Sequence, residues 1–333
     1  SGGFGCVVMG RFRETLVAVK VPRGQATRSD DRLLASLCNE LRLLRRVRHP
    51  CVVGFHGALI DPVSGDLAVL LEFVEGEIMD AFIINASPEA AAKPMMLLRP
   101  VLDVASALGY LHALAPSIVH GDLKASNIKV MQMGPRLARA KLLDFGLSRL
   151  LAGRVKPLGG TMYWKAPELL TQGAARPAPS PSVDVYAFGL LTYFAMTGKN
   201  VSSSFDSKDA AGRISRLYWP ETTILRAQSV ALCEACMRAE PSKRTTMSKA
   251  FEVILVEWLP ELDVAFDELG DGVVGLIASS TTWDDGLRKL RSCGLSCQGG
   301  EANLGAQGLA SLALGTEAAD QPPGDPPSEV YST

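Results

Sequence analysis

The sequence predicts an α+β fold with a small, β-rich N-terminal lobe and a larger, mostly helical C-terminal lobe. Two observations support this. Residues 1 to about 74 contain short runs of apolar and β-branched residues around one periodic helix, and residues from about 75 to 262 contain longer apolar helical patterns. With 333 residues, 47% hydrophobic and 21% charged, the chain has the composition of a globular protein able to bury a core.

Four strands are predicted in the N-terminal lobe. Residues 7–10 and 16–21 are short apolar runs, and residues 51–59 and 67–73 form a second pair. Residues 61–66, with the sequence Asp-Pro-Val-Ser-Gly-Asp, have the composition of a turn between the members of that pair. The lobe is therefore expected to be rich in short β-strands.

The one helix of this lobe is predicted over residues 30–47. Leu33, Leu37, Glu40 and Leu44 are spaced four, three and four residues apart, which places a carboxylate in the middle of the apolar stripe. A charge on an inward face needs a partner, so Glu40 is expected to form an ion pair.

The C-terminal lobe is predicted around a buried helix at residues 183–196, which is too short for a bilayer that needs about 20 apolar residues. The character of the chain changes after residue 262. Residues 263–333 hold 11 acidic and 3 basic residues, a net charge of −8, whereas the preceding residues carry +7. We expect an acidic, mostly disordered tail, able to lie on the basic body through electrostatic attraction.

The seven cysteines are an odd number in a long chain and do not suggest a secreted disulfide framework. No secretory signal is visible. We therefore expect a reducing compartment, which is the cytoplasm or, as an alternative, the nucleus. Cys233 and Cys236 lie in a helical pattern without a second pair at finger spacing, so free helix cysteines are favoured over a zinc site.

The chemistry is concentrated in residues 118–128 and 144–146. Asp122 can accept the proton of an attacking hydroxyl, and Lys124 can neutralise a transferring phosphoryl group. Asn127 and Asp144 offer the hard oxygen ligands that Mg²⁺ prefers. The pattern H-x-D-L-K-x-x-N followed by D-F-G is specific, because six chemically constrained positions must coincide.

On these motifs the chain resembles a eukaryotic-type protein kinase catalytic domain. Residues 160–168, with the pattern G-T-x-x-W-x-A-P-E, and residues 184–189 are most similar to the tyrosine-kinase-like group, whose members are mostly serine/threonine enzymes. The resemblance covers residues 1 to about 260 and implies the bilobal kinase fold. It also implies that a first strand and a first loop glycine would precede Ser1.

The resemblance assigns phosphate-binding roles in the N-terminal lobe. Gly2, Gly3 and Gly5 match the second half of a glycine-rich loop, whose backbone amides cover the phosphates. Lys20, in Val-Ala-Val-Lys, would hold the α and β phosphates, and Glu40 would pair with it.

The resemblance also assigns an adenine site. Residues 71–76 resemble the hinge between lobes, where backbone groups of Glu72 and Val74 would bond adenine and Leu71 would be the gatekeeper. Val7 and Ala18 would cover the ring from above. ATP is therefore the implied cofactor, together with Mg²⁺.

Further contacts follow from the same resemblance. Thr161 and Lys124 indicate serine/threonine specificity, Glu168 would pair with Arg244, and Asp184 would fix the backbone of the catalytic loop. A stack of four side chains is implied as well: Leu44, Phe55, His120 and Phe145.

Two positions depart from the family. Lys129, two residues after Asn127, lies where kinases usually place an apolar residue beneath adenine, so its ammonium needs to snorkel or find a carboxylate. Gly121 replaces the arginine that pairs with a phosphorylated activation segment in many kinases, and residues 149–160 contain no hydroxyl side chain. Control is expected to come instead from a partner, from further domains or from the acidic tail.

The sequence thus predicts an ATP- and Mg²⁺-dependent enzyme that phosphorylates Ser or Thr hydroxyls of protein substrates in signalling. No nucleic-acid partner and no membrane segment are expected, and regulatory domains or partners are expected outside this sequence. The alternative is a pseudokinase or scaffold, which Lys129 and the incomplete first strand keep open although Lys20, Asp122 and Asp144 are present. A dinucleotide-binding enzyme is excluded, because no acidic residue follows the glycines at about 20 residues in a strand-helix-strand unit.

Overall fold

The structure, a computed structural model, describes residues 6–21, 31–60, 67–85, 94–134, 137–151, 161–170, 178–199 and 217–262. Three predicted loop glycines, Gly2, Gly3 and Gly5, lie outside the described residues, as do the predicted turn at 61–66 and the predicted tail at 263–333.

An antiparallel four-stranded sheet forms the N-terminal part, in the order β1-β2-β4-β3. The first pair is joined by a two-residue turn in which Arg13 and Glu14 have φ values of 45° and 66°, the left-handed geometry that matches the twist of a hairpin. The strands are β1 (Cys6–Phe12), β2 (Thr15–Val21), β3 (Phe55–Ile60) and β4 (Leu67–Glu72).

Helix α1 spans Asp31–Leu44 and ends three residues before the predicted boundary at 47. The Arg48 guanidinium donates to the carbonyls of Leu44 (3.2 Å) and Val47 (2.8 Å), which satisfies groups left open by the end of the helix. Periodicity alone does not reveal such a cap. Glu40 lies on the buried side of α1 and is 2% exposed, as its place in the apolar stripe predicts.

The C-terminal part is built on helices whose side chains form most of the core. The predicted buried helix is confirmed as α4 (Ser182–Thr197), which is capped at its C-terminus by Gly198 with φ of 67°. No helix among the described residues is both long and apolar enough to span a membrane. The helices are α2 (Met79–Ile84), α3 (Pro94–Ala113), α4 (Ser182–Thr197), α5 (Arg226–Cys236) and α6 (Met247–Val253).

Two small sheets lie beside these helices and frame the catalytic loop, residues 120–127. One sheet has the order β5-β7-β8 and the other pairs β6 with β9. The loop connects β6 to β7, so both of its ends are anchored by strand pairing. The strands are β5 (Glu77–Ile78), β6 (Ile118–Val119), β7 (Ile128–Gln132), β8 (Ala138–Leu142) and β9 (Arg149–Leu150).

Cys233 and Cys236, on α5, are buried free thiols. The Cys233 thiol donates to the Gly189 carbonyl of α4, and burial raises the pKa of both cysteines. Both residues therefore contribute to the contact between α4 and α5, in agreement with the helix-cysteine prediction.

Candidate active site

The backbone of the catalytic loop is fixed by a carboxylate from α4. Asp184 accepts the backbone N–H of His120 through Oδ2 and that of Gly121 through Oδ1, each at 2.8 Å. His112 Nε2 lies 2.9 Å from the same Oδ2. The predicted role of Asp184 is confirmed, and Gly121 meets the local demand for a φ of 76° without a Cβ penalty.

Asp122 is buried at the centre of a hydrogen-bonded group. Its Oδ1 accepts the backbone N–H (2.8 Å) and the hydroxyl (3.0 Å) of Thr161, and its Oδ2 lies 2.8 Å from Lys124 Nζ. Lys124 Nζ also donates to Thr161 Oγ1 at 2.8 Å. One oxygen of the carboxylate therefore accepts a hydrogen bond from a hydroxyl, and the other contacts a cation.

Asn127 joins this group from the end of the loop. Its Nδ2 donates to the backbone oxygen of Asp122 at 2.8 Å and to Oδ2 of the same residue at 3.2 Å. Because the amide nitrogen is committed to Asp122, its oxygen is the atom able to bind a cation. The backbone carbonyl of Asn127 accepts the N–H of Leu143 at 2.8 Å. This bond holds Asn127 next to the residue that precedes Asp144.

Lys20 joins two carboxylates from different parts of the chain. Its Nζ lies 2.9 and 2.8 Å from the two Glu40 oxygens and 2.8 Å from Asp144 Oδ1. This confirms the predicted Lys20–Glu40 pair and adds a contact with Asp144 that sequence reasoning did not state. The lysine thus connects β2, α1 and the segment after β8.

The pKa shifts in this cluster follow from burial and charge. Burial by itself would lower the pKa of Lys20, but the Glu40 and Asp144 carboxylates hold it above its usual value. Burial would raise the pKa of Asp144, and the neighbouring ammonium holds it below its usual value instead. For Glu40, burial prevails and raises its pKa. Asp144 therefore stays ionised, as a magnesium ligand must.

The donor set fits Mg²⁺. The Asp144 carboxylate is 36% exposed and its residue has a φ of 45°, and the Gly146 N–H donates to its Oδ1 at 3.2 Å. One carboxylate and one amide oxygen are the hard ligands that Mg²⁺ takes when phosphates and water complete its octahedron. The predicted ligands Asn127 and Asp144 are thus chemically suited to that ion.

The predicted adenine site lies between the sheet and the β4–β5 connection. The register pairs Val7 with Lys20 and Met9 with Ala18, so Val7 and Ala18 share the face of the sheet that carries Lys20. Val7 is 61% exposed on that face, whereas Leu71, the predicted gatekeeper, is buried. The binding roles of the Glu72 and Val74 backbone groups stay predictions.

Lys129 was predicted either to snorkel or to find a carboxylate. Its Nζ donates to the backbone carbonyl of Val74 at 2.8 Å and lies 5.7 Å from the centre of the Phe73 ring. The main chain of the hinge thus takes the place of the carboxylate, which was one of the two alternatives. The ammonium is thereby satisfied without a second charge.

Besides the Lys20–Asp144 contact, sequence reasoning missed two further contacts near the site. One is the direct bond from Thr161 to Asp122. The other is the pair between Lys141 and Glu72, in which Nζ lies 2.6 and 2.7 Å from the two carboxylate oxygens and the Gly54 N–H also donates to Glu72. The signal that the sequence offers is Lys141, three residues before Asp144. In the β7–β8 register it lies directly opposite Lys129 on the same face of the sheet, and two neighbouring ammonium groups need an acceptor or an anion nearby.

His120 packs rather than reacts. It is buried, its ring lies 5.3 Å from that of Phe145 in an edge contact, and its Nε2 lies 3.1 Å from the Leu143 carbonyl. The predicted packing between His120 and Phe145 is confirmed.

Comparison with known proteins agrees with this geometry. The protein kinase domain family matches residues 1–256. The chain therefore belongs to the protein kinase domain family, as its motifs predict.

Individual relatives include a serine/threonine-protein kinase, a second protein kinase and a U-box domain-containing protein. The serine/threonine-protein kinase CTR1 of Arabidopsis thaliana is 29% identical over 76% of this chain and 30% of its own length. The mitogen-activated protein kinase kinase kinase 10 of Homo sapiens is 29% identical over 76% of this chain and 27% of its own. The U-box domain-containing protein 70 of Oryza sativa is 33% identical over 60% of this chain and 24% of its own.

The chain spans only 23% to 35% of the length of the first of these curated relatives. What those longer proteins do as a whole is therefore not carried over from the similarity.

Proposed function

We propose that this chain is an ATP- and Mg²⁺-dependent protein kinase of the tyrosine-kinase-like group that phosphorylates Ser or Thr hydroxyls of protein substrates. The observation that carries the proposal is the joint placement of its charges. Lys20 contacts Glu40 and Asp144, while Asp122 contacts Lys124 and Thr161. The arrangement combines a cation for phosphates, ligands for the metal and a base for the acceptor.

The chemistry follows from where these groups lie. Asp122 would accept the hydroxyl proton of the substrate as its oxygen attacks phosphorus. Lys124, 2.8 Å from the base, would stabilise the charge on the transferring group. Lys20 would bind the nucleotide phosphates, and Asn127 with Asp144 would hold Mg²⁺. When bound, the ion neutralises charge on the phosphate oxygens.

Two observations support serine or threonine as the acceptor. The Lys124 ammonium and the Thr161 hydroxyl bond each other at 2.8 Å beside Asp122, and these are the two residues that the family resemblance associates with serine/threonine enzymes. The names of CTR1 and other relatives agree with this choice.

Lys129 does not favour the scaffold alternative. Its ammonium is held by the Val74 carbonyl, and the aliphatic stem is left to provide apolar surface beneath a base. We also propose a reducing compartment, the cytoplasm or the nucleus, because the five described cysteines are all free thiols.

The test uses three peptides that differ only in whether the acceptor is Ser, Thr or Tyr, with radiolabelled ATP and Mg²⁺. Label should enter the Ser and Thr peptides, the Tyr peptide should receive at least about tenfold less, and chelation of Mg²⁺ should stop transfer. Preferential labelling of the Tyr peptide would overturn the serine/threonine assignment. Binding of ATP without transfer to any peptide would favour the scaffold.

A further inference from the structure

The predicted base site contains an ammonium group that the proposed catalytic chemistry does not use. Lys129, on β7, donates from Nζ to the backbone carbonyl of Val74 at 2.8 Å, and the same ammonium lies 5.7 Å from the centre of the Phe73 ring. Val74 is buried and Lys129 is half-buried, so the bond between them is partly shielded from solvent. A charge-assisted bond in such a place is strong, and it decides which other groups can approach the carbonyl.

The reach of Lys129 to the hinge, residues 71–76, is set by backbone packing. Strand β5 pairs with β7, and the register places Ile78 opposite Lys129. Gly76, with φ of 91°, lies against the same strand, and a Cβ on it would overlap the Val130 carbonyl. The hinge and β7 are therefore held at a fixed separation, which is the one that the Lys129 side chain spans.

Neighbouring charges also keep Lys129 on the carbonyl. Lys141 lies directly opposite Lys129 on the same face of the sheet, so the two ammonium groups repel each other. Lys141 donates to both carboxylate oxygens of Glu72, at 2.6 and 2.7 Å, and the Gly54 N–H donates to one of them. Because that carboxylate is already engaged, Lys129 uses the Val74 carbonyl instead.

The occupied carbonyl affects which base the site can take. Glu72 and Val74 are two residues apart, the spacing at which an extended chain presents its backbone groups on one side. Along that side the order is the Glu72 carbonyl, the Val74 N–H and the Val74 carbonyl. Adenine presents its 6-amino group, then N1, then C2–H, so it bonds the first two groups and meets the third only with a carbon. Lys129 therefore costs adenine no hydrogen bond.

A purine with a 2-amino group meets a different environment. That amino group would point its N–H at the Val74 carbonyl, to which the Lys129 ammonium already donates. Two donors would then converge on a single oxygen, and the cation would repel the positive end of the N–H dipole. Binding would require either this repulsion or the displacement of Lys129 from a charge-assisted bond, and both weaken affinity.

We propose that Lys129 determines base specificity: it closes the Val74 carbonyl to a 2-amino group, so that the site takes adenine nucleotides and rejects purine nucleotides with a 2-amino group, such as GTP. This specificity rests on the proposed kinase function and on the hinge roles predicted for Glu72 and Val74. An apolar residue at position 129 would leave the carbonyl open to such a group. The departure of Lys129 from the family pattern thereby selects a base and does not impair the nucleotide site.

Two nucleotides that differ only at C2 provide the test. ATP and 2-amino-ATP, the triphosphate of 2,6-diaminopurine riboside, are each titrated with Mg²⁺ into the full chain in a calorimeter. The wild type should bind 2-amino-ATP about fivefold more weakly than ATP. Lys129→Met keeps an unbranched apolar stem without the ammonium. It should bind 2-amino-ATP as tightly as ATP or more tightly, since the open carbonyl gains a neutral hydrogen bond.

Lys249→Met is the matched control. It removes one exposed ammonium from α6 and so makes the same change in net charge, which by itself affects the affinity for a triphosphate. Lys249→Met should keep the wild-type preference for ATP over 2-amino-ATP.

Two results would overturn the specificity. Equal or tighter binding of 2-amino-ATP by the wild type would do so without any variant. The other is an unchanged ratio of the two affinities in Lys129→Met, including a loss by the same factor for both nucleotides, which would leave Lys129 with a packing role only.

Phosphate transfer to a Ser peptide separates this specificity from the proposed function. Lys129→Met should lower the KM for 2-amino-ATP about fivefold and leave kcat little changed, because the base edge lies away from the transferred phosphate. If the affinity ratio responds as expected and the wild type transfers no phosphate, the specificity stands and the proposed function fails. If the wild type transfers phosphate and the ratio does not respond, the specificity is wrong and the proposed function stands. Binding of neither nucleotide by the wild type would overturn both.

Discussion

Two ion clusters in this molecule differ in how their charges are balanced. Arg244 makes five hydrogen bonds, two at 2.7 Å to the Glu168 carboxylate and three to the backbone carbonyls of Ser182, Arg238 and Ala239. All five of its N–H donors are therefore used. The cluster pairs one cation with one anion, and the Arg244 side chain is 0% exposed.

The Lys20 cluster is unbalanced. One ammonium serves two carboxylates, Glu40 and Asp144, and the second of these is 36% exposed. The excess negative charge lies at the open end, where a magnesium ion would add the missing positive charge. The comparison indicates that a neutral, saturated pair holds the fold together, and that a charged, open cluster is arranged to bind a ligand.

The largest effect is expected when the saturated pair is broken. Arg244→Met should lower the free energy of unfolding by about 3 to 5 kcal/mol, because it removes the buried guanidinium that pairs with the Glu168 carboxylate and donates to three backbone carbonyls. Thermal denaturation should show a fall of at least about 6 °C. Glu168→Gln is the control, since it keeps one acceptor for the guanidinium, and it should cost less. A melting temperature within 2 °C of wild type for Arg244→Met would contradict the structural role.

The open cluster should behave in the opposite way. Asp144→Asn should lower phosphate transfer at least about a hundredfold, or about 2.7 kcal/mol, because it removes the charge that holds the metal. The melting temperature should stay the same, since Lys20 keeps Glu40. Titration with Mg²⁺ at fixed ATP should show a higher metal requirement. A large loss of stability with normal transfer would reverse the comparison.

A smaller effect is expected at Glu40. Its pKa is raised by burial, so the ionised form is disfavoured in the fold and its contribution to stability weakens as pH rises through that pKa. Glu40→Gln removes this cost and should leave the free energy of unfolding within about 1 kcal/mol of wild type. Transfer should fall about tenfold, as Lys20 loses its partner on α1. Urea denaturation and the KM for ATP, measured together, check both halves.

The last effect appears only as a dependence of stability on pH, and it concerns a half-buried group outside both clusters. Burial lowers the pKa of His49 to about 4, and its ring accepts the Cys51 N–H and contacts Ser106. The unfolded chain binds the proton at about 6.5, so stability falls with falling pH between these values, by at most about 1.4 kcal/mol per unit.

His49→Asn keeps an acceptor for the Cys51 N–H and should flatten this dependence between pH 6.5 and 4.5. Melting curves across that range provide the measurement. A slope equal to that of wild type would assign the acid sensitivity to another group.

Part of the site could be predicted from the sequence because several of its residues are close neighbours along the chain. Asp122, Lys124 and Asn127 lie within six residues, so their proximity needs no tertiary information. The apolar stripe of the helix predicts that Glu40 needs a partner, and the family resemblance names Lys20 as that partner. The Glu168–Arg244 pair came from the family pattern.

The rest depends on long-range register and on side-chain reach, which local patterns do not encode. For Lys129 the sequence predicts either snorkelling or a carboxylate partner, whereas the structure shows a bond to a backbone carbonyl 55 residues away. The bond from Thr161 to Asp122 joins residues 39 apart. The end of α1 was misplaced because the Arg48 cap depends on a side-chain contact.

Asp122→Asn tests the central claim most directly. Asparagine keeps the shape of the side chain and an oxygen acceptor for the Thr161 N–H, but it cannot take a proton from a hydroxyl. With melting temperatures matched, transfer of labelled phosphate from ATP to a Ser peptide should occur in the wild type and fall at least about a hundredfold in the variant. Equal transfer rates in the two proteins would contradict Asp122 as the base and the account built on it.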